Sequence, residues 1–563
     1  MNTKRIVLTI AGVFLFGGCA GLIAADASLL EVQSYRPLHT LPYDQSYDLA
    51  ALAQHENEGM RFLLLQSRVR DKAQLWAGFN AALAGFTEAE YMALKPLILD
   101  RSVQQLQQAV ANGRLSYEEL VKFYIYRIRS IESDNRRFLN ALISLNPDAI
   151  VRARALDQRR RQGESVAEDS LFGIPVLLKD NIGFAGLPAT AGAVALQDNH
   201  AGNAFITQRL LQNNAIILGK ANLSEWAYFL CEDCPSGYSA VGGQTLNPYG
   251  RFLFGSGGSS AGSGASIAAN YAAVAVGSET SGSILSPASA NSLVGLKPTT
   301  GSLSRSGVVP ISSTLDTVGP MARSVADVVI LFNAMTGFDQ TDSAMPLLSE
   351  DLSLQYRQLS LADKRLGVLE SFADNSFYQQ ALVLLATAEA RLVEVTMPDV
   401  DREGFGELLG AEMARDLALY LQQHGASQLP IDSIASLREF NLEDSARRAP
   451  YGQELVEMMD QLTLSAEELE ALRERLQSNA RNILDQLFAT ANLNVLLSVN
   501  NFYAGVAALA NYPALTIPMG YEDNGRPVGL TLIAPSFQEQ ELIDIGARFE
   551  QLSAARRLPG NYQ

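Results

Sequence analysis

The stretch Gly255-Ser256-Gly257-Gly258-Ser259-Ser260-Ala261-Gly262-Ser263-Gly264 packs five glycines and four serines into ten residues. It runs into Ala265–Tyr271, which suits a helix, and then into Ala272-Ala-Val-Ala-Val-Gly277, a short continuous apolar run. A glycine-rich loop that enters a helix presents backbone N–H groups to an anion, so phosphate is the first ligand to consider. The spacing rejects it. No Gly-Lys-Ser/Thr follows the loop, and no strand-Gly-x-Gly-x-x-Gly register leads to an acidic ribose ligand. The same physics serves an oxyanion site, where N–H groups stabilise a tetrahedral intermediate. A second glycine-serine turn, Glu279-Thr-Ser-Gly-Ser-Ile284, follows the run 272–277 and offers a nucleophile together with oxyanion donors.

Outward from this block, Gly173-Ile-Pro-Val-Leu-Leu178 and Ala215-Ile-Ile-Leu-Gly219 are further short apolar runs, set apart by helix-length segments. Such runs predict the buried strands of a mostly parallel sheet, and hence an α/β core. Capping-box spacing at Ser102…Gln105 and Ser116…Glu119 predicts two helix starts, the second opening a helix over Tyr117–Ile131. Residues 340–490 add strand-like runs at Leu366–Leu369 and Leu392–Val395. Glu/Leu/Arg-rich stretches such as Ser465–Leu487 come next, read as solvated helices around the same sheet. Ala514–Met519 and Val528–Ala534 flank Asn524-Gly525, a hairpin signal. Residues 28–98 read mostly as helix, with Asp48–Arg70 rich in Ala, Leu and Glu, and carry no chemical motif. The organisation expected is therefore a leader over 1–25, a helical N-terminal extension over 26–98 and a catalytic domain over 99–563.

The chain of 563 residues is 47% hydrophobic and 18% charged, enough to bury a large core and too apolar for disorder. Its 43 Lys+Arg against 60 Asp+Glu give −17, which argues against a nucleic-acid partner. Its cysteines and histidines are too few and too scattered for a metal site, so no metal and no cofactor are expected. Lys4 and Arg5 precede an uncharged stretch from Ile6 to Ala25 that ends in small residues, the pattern of an export signal. Cys19 comes after Leu15-Phe16-Gly17-Gly18, a loose likeness of a bacterial lipobox with Phe16 where a smaller aliphatic residue is usual. Ordinary cleavage near Ala25 and membrane attachment through a lipidated Cys19 both stay open. Either one gives an exported protein, in the periplasm or on an envelope membrane.

A serine nucleophile needs a base. None of the four histidines lies in a motif-like setting, and no Gly-x-Ser-x-Gly elbow has matching partners, which disfavours a Ser-His-Asp triad. Lysine can replace histidine when desolvated, because burial penalises the ammonium form and lowers its pKa. Lys179 ends the apolar run Ile174–Leu178 and so reaches the carboxyl edge of the sheet, where open α/β sheets place their sites. The plainer alternative is a strand-end lysine that extends to solvent.

Taken together, Gly173-Ile-Pro-Val…Lys179-Asp180-Asn181, Gly257–Gly264, Ser281-Gly-Ser283, Val294-Gly-Leu-Lys-Pro-Thr299 and Asp316-Thr-Val-Gly-Pro320 resemble the amidase signature family, from about Leu99 to Leu558. The resemblance implies a large mixed, mostly parallel sheet covered by helices on both faces, and amide hydrolysis by a Ser-cis-Ser-Lys triad. Position by position it implies Ser283 as nucleophile, Ser259 as bridging serine after a cis Gly258–Ser259 bond, and Lys179 as base. It also implies oxyanion donors at the N–H groups of Thr280, Ser281, Gly282 and Ser283. Ser260 and Ser263 are expected to act as turn and cap residues.

The family's Thr-Asp-x-Gly-Gly-Ser-Ile-Arg stands here as Ser278-Glu-Thr-Ser-Gly-Ser-Ile-Leu285, which keeps the nucleophile and loses the arginine. An amidase for acidic acyl groups would be expected to hold a guanidinium there, so the expected substrate is a neutral carboxamide, small or peptidic. Leu223-Ser-Glu-Trp226 and Ser239-Ala-Val-Gly-Gly-Gln244 look most like the peptide amidase branch, which removes C-terminal amides from peptides; aryl and aliphatic amidases share most of these motifs. The amidase subunit of a glutamyl-tRNA amidotransferase fits poorly with an export signal and an acidic chain. A catalytically silent binding protein on the same fold is the competing class, and Lys179, Ser259 and Ser283 together argue against it. Cys231-Glu-Asp-Cys234 has no second ligand pair, so in an oxidising compartment a local disulfide is expected.

Overall fold

The computed structural model describes residues 43–346 and 352–563. The expected leader over 1–25, Cys19 included, lies outside the described residues.

The strands are β1 (Leu142–Leu145), β2 (Pro175–Lys179), β3 (Ile216–Ala221), β4 (Tyr238–Ser239), β5 (Gly243–Gln244), β6 (Val274–Glu279), β7 (Val294–Lys297), β8 (Thr317–Ala322), β9 (Arg365–Leu369), β10 (Arg391–Val395), β11 (Val495–Val499), β12 (Ala514–Tyr521) and β13 (Pro527–Ile533). Apart from the small β4–β5 hairpin they form one 11-stranded sheet in the order β1-β3-β2-β6-β8-β7-β12-β13-β11-β9-β10. The sheet is large and mixed, as expected, but its parallel ladders are confined to two three-stranded blocks, β3-β2-β6 and β11-β9-β10. All other ladders are antiparallel and outnumber them. Apolar runs could not tell the two apart, because an antiparallel strand covered on both faces is just as continuously apolar.

Every residue of β2, β3 and β6 is buried, and since successive side chains point to opposite faces, both faces of this block are covered. At the other end the two faces feed separate clusters. Val495, Leu497 and Val499 of β11 join the main core, while Leu496 packs with Leu417, Leu476, Leu484 and Phe488. The last four lie on Phe405–Gln423 and Ala466–Ala491, helices that hold one face of the sheet.

Both capping boxes form, at Ser102 and Ser116, and the second starts a helix over Tyr117–Glu132. The Asn524-Gly525 turn joins β12 to β13, with Gly525 at φ 87°. Between residues 43 and 98 the helix content is lower than expected. A helix spans Ser46–Leu52, a 3-10 turn Glu58–Met60, and only Glu88–Ile98 exceeds two turns. The Asp48–Arg70 helix is cut because Asn57 turns its side chain to the Gly59 N–H and caps the short turn instead. Beyond that turn the chain lies as an irregular strap on the core. Leu65 O accepts from Gln244 N and Asn140 Nδ2, and Lys72 pairs with the buried Glu132 at 2.6 Å.

Candidate active site

β2 and β6 are adjacent and parallel, so Lys179 and Glu279, their last residues, stand at the same edge of the sheet. The glycine-serine block lies over that edge. Its helix begins at Ala261, four residues earlier than the sequence suggests, and the Gly258–Ser259 peptide is cis. Gly258 is needed for space: a Cβ there would sit 2.6 Å from the Tyr228 hydroxyl and 2.7 Å from Ser224 Oγ. Ser260 clips the block to β6 and the following turn, its N–H donating to Ser283 O at 3.1 Å and its Oγ to Ser278 O at 3.1 Å. Ser263 Oγ donates to Val276 O, and Ser260 stands at the N-cap position without a side-chain cap bond; both side chains tie the helix to the strand beneath.

Lys179 is fully buried. Its Nζ lies 2.7 Å from Ser259 Oγ, 2.9 Å from Ser278 Oγ and 3.1 Å from the Ser278 carbonyl oxygen. Burial lowers its pKa to about 7, while the negative charges of Asp316 and Glu279 pull the other way. A neutral amine carries two N–H donors and one lone pair. Donation to the two Ser278 oxygens uses both donors and leaves the lone pair for the Ser259 hydroxyl. Ser278 Oγ is itself held by Asn181 Nδ2 at 2.9 Å. Ser259 is as buried as Lys179, whereas Ser283 is 7% exposed and is the one of the three that solvent reaches.

The turn 280–283 is shaped from behind by Glu279. Its carboxylate folds back to accept the N–H groups of Ile284 at 2.6 Å and Leu285 at 3.0 Å, and Gly282 takes φ 93°, a conformation that favours glycine. Burial raises the Glu279 pKa, and the nearby Lys297 on β7 works against that rise. Thr280 Oγ1 donates to Asp316 Oδ1 at 2.5 Å, and the N–H groups of Ile311 and Ser312 donate to Asp316 Oδ2. One carboxylate thus joins the turn 280–283 to the loop 308–316; burial pushes its pKa up to about 6.

That loop walls a cleft of about 320 Å³ that meets the site at Asn181, Ser278 and Thr280; Ser259 and Ser283 are not among its lining residues. Its far wall is the helix Phe405–Gln423, through Asp416, Leu419 and Tyr420. The residues just after Ser283 carry no cation, but Arg305, from the loop after β7, lines this cleft. Its guanidinium is already committed, Nε and Nη2 to Asp342 at 3.0 and 2.5 Å and Nη1 to Ser313 O at 2.5 Å. Asp416 is committed too, to Ser313 N and Arg415 Nε.

Cys231 and Cys234 are joined as a disulfide with Cα atoms 5.4 Å apart. Between this pair and Ser224, the residues Trp226, Ala227 and Tyr228 all take positive φ, which carries the Tyr228 hydroxyl to Ser236 Oγ and over Gly258. The structure therefore brings together Lys179, Ser259, Thr280, Ser281, Gly282 and Ser283. It adds Ser278, Asn181, Glu279 and Asp316, to which sequence alone gives no role. A retained hydroxyl at position 278 is the one signal for the first of these.

A family model for amidases matches residues 119–543. The chain is 34% identical to a probable amidase of Arabidopsis thaliana over 477 residues, covering 82% of this chain and 92% of that one. Among solved structures it is similar to an amidase family protein from Bacillus anthracis, at 36% identity and TM-score 0.83 over 88% of this chain and 99% of that one. It is also similar to the native peptide amidase of Stenotrophomonas maltophilia, at 37% identity and TM-score 0.74 over 82% and 98%. With the match spanning most of its length, the chain belongs to the amidase signature family and is an amide-hydrolysing enzyme.

Proposed function

We propose that the protein is an exported amidohydrolase that cleaves neutral carboxamides, C-terminal peptide amides in particular, through an acyl-enzyme on Ser283. Neutral Lys179 takes the proton of Ser259, which takes that of Ser283 as Ser283 Oγ attacks the carbonyl carbon. The relay then runs backward: Ser259 passes one proton to the leaving nitrogen as the C–N bond breaks, and Lys179 returns its proton to Ser259; water, deprotonated through the same relay, then releases the acyl group from Ser283. The developing oxyanion is stabilised by the N–H groups of the turn 280–283. The observation that carries the reading is a fully buried lysine with its Nζ 2.7 Å from Ser259 Oγ and, at 2.9 and 3.1 Å, two Ser278 oxygens able to accept both N–H groups of the neutral amine.

Neutrality of the substrate is supported by the cleft, whose Arg305 is held by Asp342 and would have to abandon that pair to grip a substrate carboxylate. The peptide branch is supported by the likeness to the Stenotrophomonas peptide amidase. Rates on a peptide amide, an anilide and a dicarboxylic half-amide such as malonamate test both points. The peptide amide should be turned over fastest; preference for malonamate would overturn the neutral cleft, and activity on anilides alone would overturn the branch.

Export is supported by Lys4, Arg5 and the uncharged run after them. Cell fractionation should find the protein in the periplasm, or on an envelope membrane with added lipid mass on Cys19. Full-length protein in the cytosol would contradict export.

A further inference from the structure

Leu419 is a large apolar side chain left 46% exposed on a helix whose other apolar residues are well used. Leu408, Leu409, Met413, Leu417 and Tyr420 of Phe405–Gln423 all sit in the second hydrophobic cluster. Leu419 comes two positions after Leu417, about 200° around the helix, and so leaves that buried stripe. A single exposed leucine needs no explanation. This one borders the cleft that begins at Thr280 and Asn181, and the loop Val308–Ile311 supplies further apolar residues to the same cleft. The charged side chains there are satisfied by the protein itself, Arg305 by Asp342, Asp416 by Arg415 and Ser313 N, and Asp316 by Thr280 and two backbone amides. Beside these pairs the lining keeps polar groups, Asn181, Gln423 and His424 among them, and an apolar part made by Leu419 and the loop Val308–Ile311.

We propose that Leu419 and the loop Val308–Ile311 form a specificity-determining subsite for an apolar side chain on the residue that carries the scissile carboxamide. The inference rests on the peptide-amide reading above. Binding there would dehydrate both the substrate side chain and Leu419, while a glycinamide would gain nothing from it. A pocket contact of this size discriminates by about tenfold. Leu419 is exposed, so a polar replacement there should leave the fold intact.

The experiment compares kcat/KM for two peptides that differ only in ending with leucinamide or glycinamide, using the wild-type enzyme, Leu419→Ser and Leu419→Asp, with thermal melts to verify folding. The wild type should prefer leucinamide about tenfold. That ratio should fall toward one in both variants, through KM rather than kcat. An unchanged ratio, or a loss in kcat equal for both substrates, would overturn the subsite while leaving the peptide-amide reading in place. Failure of the wild type on both peptides, with anilides still cleaved, would remove the underlying reading and this inference with it.

Discussion

Lys179 can serve as a base only while it is neutral, and its surroundings decide the pH at which that holds. With a pKa of about 7, the amine is mostly protonated at pH 6 and mostly free at pH 8. The rate should therefore rise about tenfold per pH unit below about 7 and level off above it. Asp316 is one of the two charges that raise this pKa, so Asp316→Asn should move the ascending limb to lower pH. A limb unmoved or shifted upward in the pH–rate profile would show that this charge does not act on the base. Ser283 and Ser259 are named from the sequence only through its resemblance to the amidase signature family, whereas Lys179 is also marked by its place at the end of an apolar run. Ser278 and Arg305 are legible in neither way, because their importance comes from a hydrogen-bond partner or a cleft assembled from segments far apart in the chain.

Among the elements, those with strong local signals are legible. The capping boxes at Ser102 and Ser116, the Asn524-Gly525 hairpin and the apolar runs of β2, β3 and β6 all form. β1 and β11 escape detection as four- and five-residue runs too short to distinguish from buried helix. β7 and β8 stand out for their motifs but not as strands, since glycine and proline within them disguise the pattern. Asp48–Arg70 fails the other way: its composition suits a helix, yet Asn57 and the contacts of Leu65 with the core win. The disulfide belongs to this scale. It closes a loop with a sequence separation of 3, so reduction should cost about 2 kcal/mol at most and lower Tm by only a few degrees. Calorimetry with and without a phosphine reductant measures this, and a drop beyond about 10 °C would mean that the pair holds far more than its own loop.

For the molecule as a whole, an α/β core is legible from strand and helix alternation, but the pairing directions are not, because burial hides them. Likewise, composition argues against a nucleic-acid groove without saying where the substrate cleft lies. The cleft arises where the loop after β7 meets a helix far along the chain, Phe405–Gln423. The parallel block β3-β2-β6 brings Lys179 and the turn 280–283 to one edge, and the glycine-serine block sets Ser259 against Lys179 there. The central claim is that this arrangement activates one serine through one buried amine. Fluorophosphonate labelling of the folded enzyme, with peptide mass spectrometry to locate the adduct, tests it most directly. The account predicts a single adduct on Ser283 that is abolished in Ser283→Ala, slowed at least about a hundredfold in Lys179→Ala and weakly retained in Ser259→Ala, where a water can partly bridge the gap. An adduct on another serine, or near-wild-type labelling at neutral pH in a folded Lys179→Ala variant, would contradict it.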